Sequence, residues 1–333
     1  MNAKLQPLVT VLTPVYNGEP FLAECIESVV NQTHTNFEYI IVNNCSKDRT
    51  LEIASAYAKK DPRVRVHDNE KFVGVIANHN IAFSLTSAKA KFVKVVSADD
   101  AIFPDCIARL VQVAEAHPSA GIIGCYQQSG KHIRWQGFPY PKVLIPGREL
   151  CKQILLSNNP SFGFGTPTSL LYRADLVRKD KEFYPNPSAE GDTSACFKAL
   201  KDRDFAFVYQ VLCFERVHEE TQTSKSRQLN RYASSCLRDL LEYGPFYLSK
   251  EERQVQFDKQ VQDYYRFLAS SLIGFKGKEF WDYHRDRFKE LGLPLRTYRL
   301  LRAGMTSVAH EAANPGRAVS KFRKLLPRKN GIH

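Results

Sequence analysis

The chain has 333 residues, of which 43% are hydrophobic and 25% are charged, a composition typical of globular proteins and not of disordered ones. Its apolar runs are too short for a transmembrane helix, and its first residues lack the pattern of a secretory signal. Eight cysteines occur without a Cys-x-x-Cys pair, which predicts buried free thiols in a reducing compartment and argues against a zinc site. We therefore expect a cytoplasmic protein.

The positive charge is concentrated in the last third of the sequence. The formal net charge is +12. Residues 1–226 hold 26 Lys and Arg against 24 Asp and Glu, whereas residues 227–333 hold 21 against 11. This distribution predicts a nearly neutral globular domain over residues 1–225 and a basic helical region over residues 226–333.

Strand and helix patterns alternate through the first hundred residues. Short β-branched runs predict strands, and apolar residues at helical spacing between them predict helices. In chain order, the predicted elements are a strand at 9–14, a helix at 21–32, a strand at 37–42, a helix at 50–59, a strand at 64–66, a helix at 73–87 and a strand at 91–96. This alternation predicts an α/β fold with a Rossmann-like, mainly parallel sheet flanked by helices.

Two of the predicted strands end in polar clusters. Residues 43–48 follow the second strand, and residues 97–100, which end in Asp99 and Asp100, follow the fourth. Open α/β sheets bind ligands at the carboxyl ends of their strands, and adjacent carboxylates there suit a divalent cation carrying a diphosphate. Glycine-rich dinucleotide and P-loop motifs are missing, which also favours phosphate binding through a metal. The alternative is that both carboxylates only cap the helix that begins near Pro104.

Three motifs occur in order within about the first 220 residues: Pro14-Val-Tyr-Asn17, residues 43–50, and Ser97-Ala-Asp99-Asp100 followed by Pro104. Together they resemble the inverting family 2 glycosyltransferases of the GT-A fold. The resemblance implies a GT-A domain with an α-helical C-terminal extension. It also implies transfer of a hexosyl or N-acetylhexosaminyl unit, with a UDP-sugar as the expected donor. The implied acceptor is a glycan or a lipid-linked glycan, as in the synthesis of cell-surface polysaccharides.

The same resemblance implies which residues bind the donor and a divalent cation, Mn²⁺ or Mg²⁺. Asp99 is the implied metal ligand, and His218 either completes the metal shell or meets the diphosphate. Donor contacts are implied for Pro14, Tyr16, Asn17, Asn43, Ser46, Asn80, Ser97 and Asp100. Asn43 departs from the family pattern, because it stands where an Asp holds the uracil edge; its amide oxygen can still accept the uracil N3–H bond. His79 stands where an Arg is common, so the charge of that side chain depends on pH.

An inverting transfer needs a base that removes the proton of the attacking acceptor hydroxyl. Residues 188–197 resemble the family segment in which an Asp at the start of a helix is the general base. The resemblance implies Asp192 in this role, with Glu190 as the second candidate. A carboxylate near a helix N-terminus is favoured in its charged form. The alternative is that Asp192 only caps the helix.

An aromatic stretch lies between these motifs. Trp135, Phe138 and Tyr140 are placed among polar residues. Aromatic faces stack well on sugar rings, so this stretch suits a sugar-facing region. The alternative, which is the more common one, is that these residues are ordinary packing.

The C-terminal region has the patterns of several helices. A capping-box start occurs at 249–252, and amphipathic stretches occur at 229–242 and 280–291. Residues 294–333 hold nine basic residues against one acidic residue, and several of them lie beside leucines. This segment predicts an interfacial helix on an anionic membrane, near a lipid-linked acceptor. A solvated basic tail and a contact that forms a homo-oligomer are the alternatives.

Two other classes of function stay open on the sequence alone. The residues at Asn43, Ser97 and His79 suit a catalytically inactive scaffold of the same fold. The retained Asp99, Asp100 and Asp192 argue against that class. The basic charge suits a nucleic-acid-binding protein, but no recognition motif is present and the first domain is nearly neutral, so we expect no nucleic-acid partner.

Overall fold

The computed structural model of the chain describes residues 6–157, 162–185, 191–218, 229, 231–273 and 276–312. The chain divides into two compact units, Met1–Lys225 and Ser226–His333. The first unit contains a β-sheet with helices, and the described part of the second unit is helical.

One sheet organises the first unit. Its strands are β1 (Val9–Val15), β2 (Phe37–Asn43), β3 (Val64–Asp68), β4 (Phe92–Val95), β5 (Ala101–Ile102), β6 (Ala120–Ser129), β7 (His132–Arg134), β8 (Leu144–Ile145), β9 (Leu170–Arg173) and β10 (Asp204–Glu215). Their order is β3-β2-β1-β4-β9-β6-β10-β5, with β7 paired to β6 and β8 paired to β10. Strands β1 to β4 pair in parallel, which confirms the predicted Rossmann-like half. Antiparallel pairing enters with β9, which lies between β4 and β6.

The helices of the first unit follow the predicted alternation. They are α1 (Leu22–Val30), α2 (Thr50–Lys60), α3 (Val75–Ser84), α4 (Cys106–Ala116), α5 (Gly147–Leu156), α6 (Ala174–Lys179) and α7 (Gly191–Ala199), with a 3₁₀ turn at Pro167–Ser169. In α1, Leu22, Cys25, Ile26 and Val29 are fully buried, at the spacing that puts them on one helix face. Burying one such aliphatic side chain contributes about 1.5–3 kcal/mol to folding.

The carboxyl ends of the parallel strands meet at one edge of the sheet. The register pairs Val15 with Asn43, and Asn43 with Asp68. Parallel strands that are buried on both faces have nearly continuous apolar sequences, and β4 is buried along its whole length. Polar residues that follow these strands are therefore placed together at the edge.

The second unit packs its own core. Its helices are α8 (Arg231–Tyr247), α9 (Lys250–Ile273), α10 (Lys278–Glu290) and α11 (Thr297–Ala312). Tyr264, Leu268 and Phe288 are among its buried residues. The predicted capping box is confirmed, because Ser249 N–H donates to Glu252 Oε2 at 3.0 Å and Glu252 N–H donates to Ser249 Oγ at 3.1 Å. Among the described helices, none combines the length and the apolar character that crossing a membrane requires.

Candidate active site

The two carboxylates after β4 face different environments. Asp100 is 6% exposed; its Oδ2 accepts the Thr168 hydroxyl at 2.6 Å, and its Oδ1 accepts the Arg216 backbone N–H at 3.2 Å. The side chain of Asp99 is 33% exposed, and its Oδ2 lies 3.3 Å from His218 Nε2. Strand β5 separates Asp100 from α4, which begins at Cys106. Neither carboxylate therefore caps that helix.

Burial changes the protonation of Asp100. Loss of hydration, together with the adjacent charge of Asp99, raises the pKa of this carboxyl to about 7. The hydrogen bonds from Thr168 and Arg216 lower the pKa but do not offset the burial. The Asp100 carboxyl is therefore only partly ionised at neutral pH when no cation lies beside it.

The side chain of Arg216 contacts the turn at residues 97–100, which is called the carboxylate turn below. Its Nε donates to the backbone carbonyl of Asp99 at 3.2 Å, and its terminal nitrogen contacts Glu24 at 2.5 Å. Its guanidinium lies 4.8 Å from the ring centroid of Phe21, and the same ring lies 4.9 Å from the ring of His218. Arg216 therefore fixes both the turn and the segment that carries His218.

A buried lysine supports the same turn from inside the sheet. Lys94 in β4 is fully buried, which is rare for this residue type. Its Nζ donates to the carbonyls of Thr168 and Leu170. The Thr168 hydroxyl in turn accepts the Ser97 backbone N–H at 3.1 Å while it donates to Asp100. Lys94 and Thr168 were not among the predicted site residues; the Lys within an apolar strand was the available signal.

The structure brings the side chains of Asp99 and His218 together, 3.3 Å apart. A carboxylate oxygen and an imidazole nitrogen are a donor set that suits Mn²⁺ and related cations. Among the described residues, no three His, Cys, Asp or Glu side chains group as metal ligands. The two residues fit a cation whose further ligands come from outside the described protein.

Two predicted donor residues, Asn17 and Ser46, tie neighbouring loops together. The Asn17 N–H donates to Ser46 Oγ at 2.9 Å, and Lys47 N–H donates to Asn17 Oδ1 at 2.9 Å. Asn17 has a φ of 50°, a conformation that Asn tolerates better than most residues. The structure thus places both side chains at the carboxyl ends of the strands, which are called the rim below. Their contacts connect the loop after β1 to the loop after β2.

Aromatic side chains stand at the same rim. Tyr16 is 45% exposed and Phe72 is 60% exposed, and their ring centroids lie 4.9 Å apart in an edge-on arrangement. Pro14 lies just before them in β1, opposite Val42. Of these residues, Phe72 was missed by the sequence analysis, because it belongs to no recognised motif.

Side-chain amides of three asparagines hold the loop that carries Phe72. Asn44 donates to the carbonyl of Val73 at 2.8 Å and accepts the Val73 N–H at 3.0 Å. Asn69 donates to Asn44 and, at 2.8 Å, to Asn78 in α3. The loop between β3 and α3 is therefore fixed by side chains from the strand ends.

The predicted donor residue Asn80 contacts protein backbone. Its amide donates to the carbonyl of Tyr184 at 3.0 Å and accepts the Tyr184 N–H at 2.9 Å. The ring of His79 stacks on Tyr184 with centroids 5.5 Å apart, and burial lowers the pKa of His79. Helix α3 therefore presents a neutral imidazole at neutral pH where the family pattern has a cation.

Asp192 is the second residue of α7. Its Oδ1 accepts the Thr193 N–H at 2.8 Å, an interaction that favours the charged carboxylate. Burial raises the pKa of Tyr184, and the charge of Asp192 contributes to that rise, so the two side chains lie near each other. Glu190, the second candidate base, lies outside the described residues.

The aromatic stretch after β7 is mostly packing. Trp135 and Phe138 are 8% and 7% exposed, and Phe138 stacks on Phe207 at 4.2 Å. Tyr140 is 77% exposed and contacts Tyr209. The alternative of ordinary packing therefore holds for Trp135 and Phe138, while Tyr140 faces solvent.

Comparison with known proteins places this chain in a family. Residues 10–180 match Glycosyl transferase family 2. An uncharacterized glycosyltransferase, EpsJ of Bacillus subtilis (strain 168), is 38% identical over 126 residues, which are 37% of this chain and 35% of that protein. Glycosyltransferase GlyG of Streptococcus pneumoniae serotype 4 is 33% identical over 122 residues, 37% of this chain and 40% of that protein. The matched region thus spans well under half the length of these curated relatives.

Solved structures share the fold. The crystal structure of S. aureus TarS 1–349 in complex with UDP-GlcNAc has a TM-score of 0.57 at 18% identity and covers 89% of this chain and 79% of that one. Mannosyltransferase PcManGT from Pyrobaculum calidifontis, in complex with GDP-Man and Mn²⁺, has a TM-score of 0.55 at 16% identity and covers 98% of this chain and 82% of that one. These similarities confirm the predicted GT-A fold.

Replacing Asp100 with Asn is expected to change how stability depends on pH. The pKa of Asp100 is about 7 in the folded chain and about 3.9 in an unfolded chain, so the folded state binds more protons between these values. The wild type therefore loses stability as the pH rises through 7. We expect the Tm of Asp100→Asn minus the Tm of wild type, measured in a metal chelator, to increase between pH 6 and pH 8.

Asp202→Asn, which removes an exposed carboxylate of the same unit, is the control against which the pH dependence of the Asp100→Asn offset is compared. A pH-independent offset for Asp100→Asn would show that this carboxyl titrates normally.

Proposed function

The chain belongs to glycosyl transferase family 2, and we propose that it transfers a sugar from a nucleoside diphosphate sugar to a glycan or lipid-linked glycan acceptor. The observation that carries the proposal is the 3.3 Å approach of Asp99 to His218 at the carboxyl end of β4, beside the polar ends of β1 to β3. The TarS structures are complexes with UDP-GlcNAc and with UDP, and the PcManGT structure is a complex with GDP-Man. A UDP-sugar is the donor we propose first.

Asp99 and His218 are the residues proposed to hold a divalent cation, Mn²⁺ or Mg²⁺, together with the diphosphate of the donor. When bound, such a cation neutralises charge on a leaving diphosphate. Asp100 and Arg216 act indirectly: they fix the turn so that the Asp99 carboxylate faces outward. The PcManGT complex contains Mn²⁺, which supports the choice of metal.

Asp192 is proposed as the general base of an inverting transfer. Its carboxylate takes the proton of the acceptor hydroxyl as the hydroxyl oxygen bonds to the anomeric carbon and the bond to the diphosphate breaks. The position at the start of α7 and the hydrogen bond from Thr193 N–H are both features that favour the charged form of a carboxylate. Because base and leaving group lie on opposite sides of that carbon, the configuration inverts.

Removal of the Asp192 charge is expected to stop transfer without stopping donor binding. Asp192→Asn keeps the size of the side chain but cannot accept the proton, so we expect turnover to fall by about 10²–10⁴-fold. The measurements are UDP release from a panel of UDP-sugars and acceptors, and UDP affinity by calorimetry. Asp175→Asn, which changes an exposed residue of α6, is the control and should keep full turnover. Undiminished transfer by Asp192→Asn would refute the assignment.

The basic segment 294–333 is proposed to bind an anionic membrane surface, where lipid-linked acceptors are found. In α11, Tyr298, Leu301 and Met305 are 56%, 60% and 67% exposed, at a spacing that places them on one side of the helix. Arg296 and Arg299 contact the hydroxyl of Tyr298, so cationic groups border the exposed apolar side chains. This combination suits the interface of an anionic bilayer.

Truncating the exposed apolar residues is expected to weaken vesicle binding. We expect the full chain to sediment with phosphatidylglycerol vesicles and not with phosphatidylcholine vesicles. The double variant Leu301→Ser/Met305→Ser is expected to bind phosphatidylglycerol vesicles with an affinity at least about tenfold lower. Val255→Ser is the control, since Val255 is 70% exposed on α9. Equal binding by the double variant would contradict the proposal, and loss of self-association instead would indicate a contact between copies.

A further inference from the structure

The ends of β2 and β3 carry a paired amide and carboxylate. Asn43 and Asp68 are register partners, and Asn43 Nδ2 donates to Asp68 Oδ1 at 2.7 Å. The backbone N–H of Ser46 donates to Asn43 Oδ1 at 3.3 Å. Both neighbours therefore require the same amide orientation, because a carboxylate only accepts and a backbone N–H only donates.

The two partners differ in what they offer to a ligand. Asn43 is 1% exposed, and its amide oxygen is used by Ser46. Asp68 is exposed, and within the described part of the chain its Oδ2 has no hydrogen-bond donor. The open hydrogen-bonding atom at these strand ends is therefore a carboxylate oxygen of Asp68, which Asn43 holds in place.

Aromatic side chains flank the neighbouring strand ends. Tyr16 directly follows Val15, the register partner of Asn43. Phe72 contacts Tyr16 and is held in a loop that Asn44 clamps through Val73. Exposed aromatic rings are surfaces on which nucleobases stack without discrimination between bases. Discrimination between bases must then come from a polar group beside them.

We propose that Asp68, and not Asn43, reads the nucleobase of the donor. This inference rests on the proposed function. A charged carboxylate accepts hydrogen bonds and donates none, so it matches bases whose pairing edge has a ring N–H: uracil and thymine through N3–H, and guanine through N1–H and its amino group. Cytosine and adenine present a lone pair at the equivalent ring nitrogen, which a carboxylate repels. The ligand class is a uridine, thymidine or guanosine diphosphate sugar.

The test compares nucleotide affinities of wild type and Asp68 variants by calorimetry with Mn²⁺, using UDP, dTDP, GDP, CDP and ADP. Wild type is expected to bind one of the first three at least tenfold more tightly than CDP or ADP. Asp68→Asn is expected to lose about 10- to 100-fold for that nucleotide and to gain affinity for CDP, because an amide can donate to cytosine N3. Asp68→Ala, whose side chain neither donates nor accepts a hydrogen bond, is expected to show the loss without the gain.

Glu70→Gln is the matched control, since Glu70 is an exposed carboxylate two residues away and its loss should change no affinity. Unchanged discrimination in Asp68→Asn, with a melting temperature equal to that of wild type, would overturn the inference and leave the proposed function intact. A wild type that binds CDP or ADP more tightly than UDP, dTDP and GDP would also overturn the inference and leave the proposed function intact. A wild type that binds none of the five nucleotides would overturn the proposed function and this inference together.

Discussion

Two adjacent carboxylates at the end of a buried strand impose the main constraint on the candidate active site of this protein. Both cannot be buried and charged at low cost, and the structure separates them by environment. Asp100 is turned inward, where the Thr168 hydroxyl and the Arg216 backbone N–H satisfy its oxygens. Asp99 is turned outward beside His218. The site chemistry depends on this division, because only the outward carboxylate can meet a ligand.

Several parts of the first unit maintain the division. Lys94 fixes the 3₁₀ turn that carries Thr168, and Arg216 links the carboxylate turn to Glu24 in α1. These contacts provide hydrogen-bond partners for buried polar groups. A polar residue close to the site therefore often supports the structure and does not contact a ligand. Asn80, which pairs with the backbone of Tyr184, is an example. Few of the described polar residues at the carboxyl ends of the strands therefore remain able to bind a ligand.

Local patterns in the sequence predicted the parallel strands and the position of the carboxylate turn, because apolar runs and their abrupt polar ends are local features. The approach of Asp99 to His218 spans 119 residues and was expected only from the family resemblance. Thr168 gave no such signal, and the only signal for Lys94 was a lysine within an apolar strand, since the roles of both residues arise when antiparallel β9 is placed beside β4. The pairing of Asn43 with Asp68 likewise depends on strand register, which a one-residue shift would change.

The most direct test of a metal-assisted diphosphate site is nucleotide-dependent thermal stabilisation of wild type and Asp99→Ala. The protein would be melted with UDP, GDP, CDP or dTDP, each with and without Mn²⁺. The account predicts that one nucleotide stabilises wild type only with Mn²⁺, by about 2.7 kcal/mol at a concentration of 100 times Kd, and that Asp99→Ala loses the effect. A folded wild type that none of these nucleotides stabilises, or an Asp99→Ala variant that keeps the full Mn²⁺-dependent effect, would contradict it.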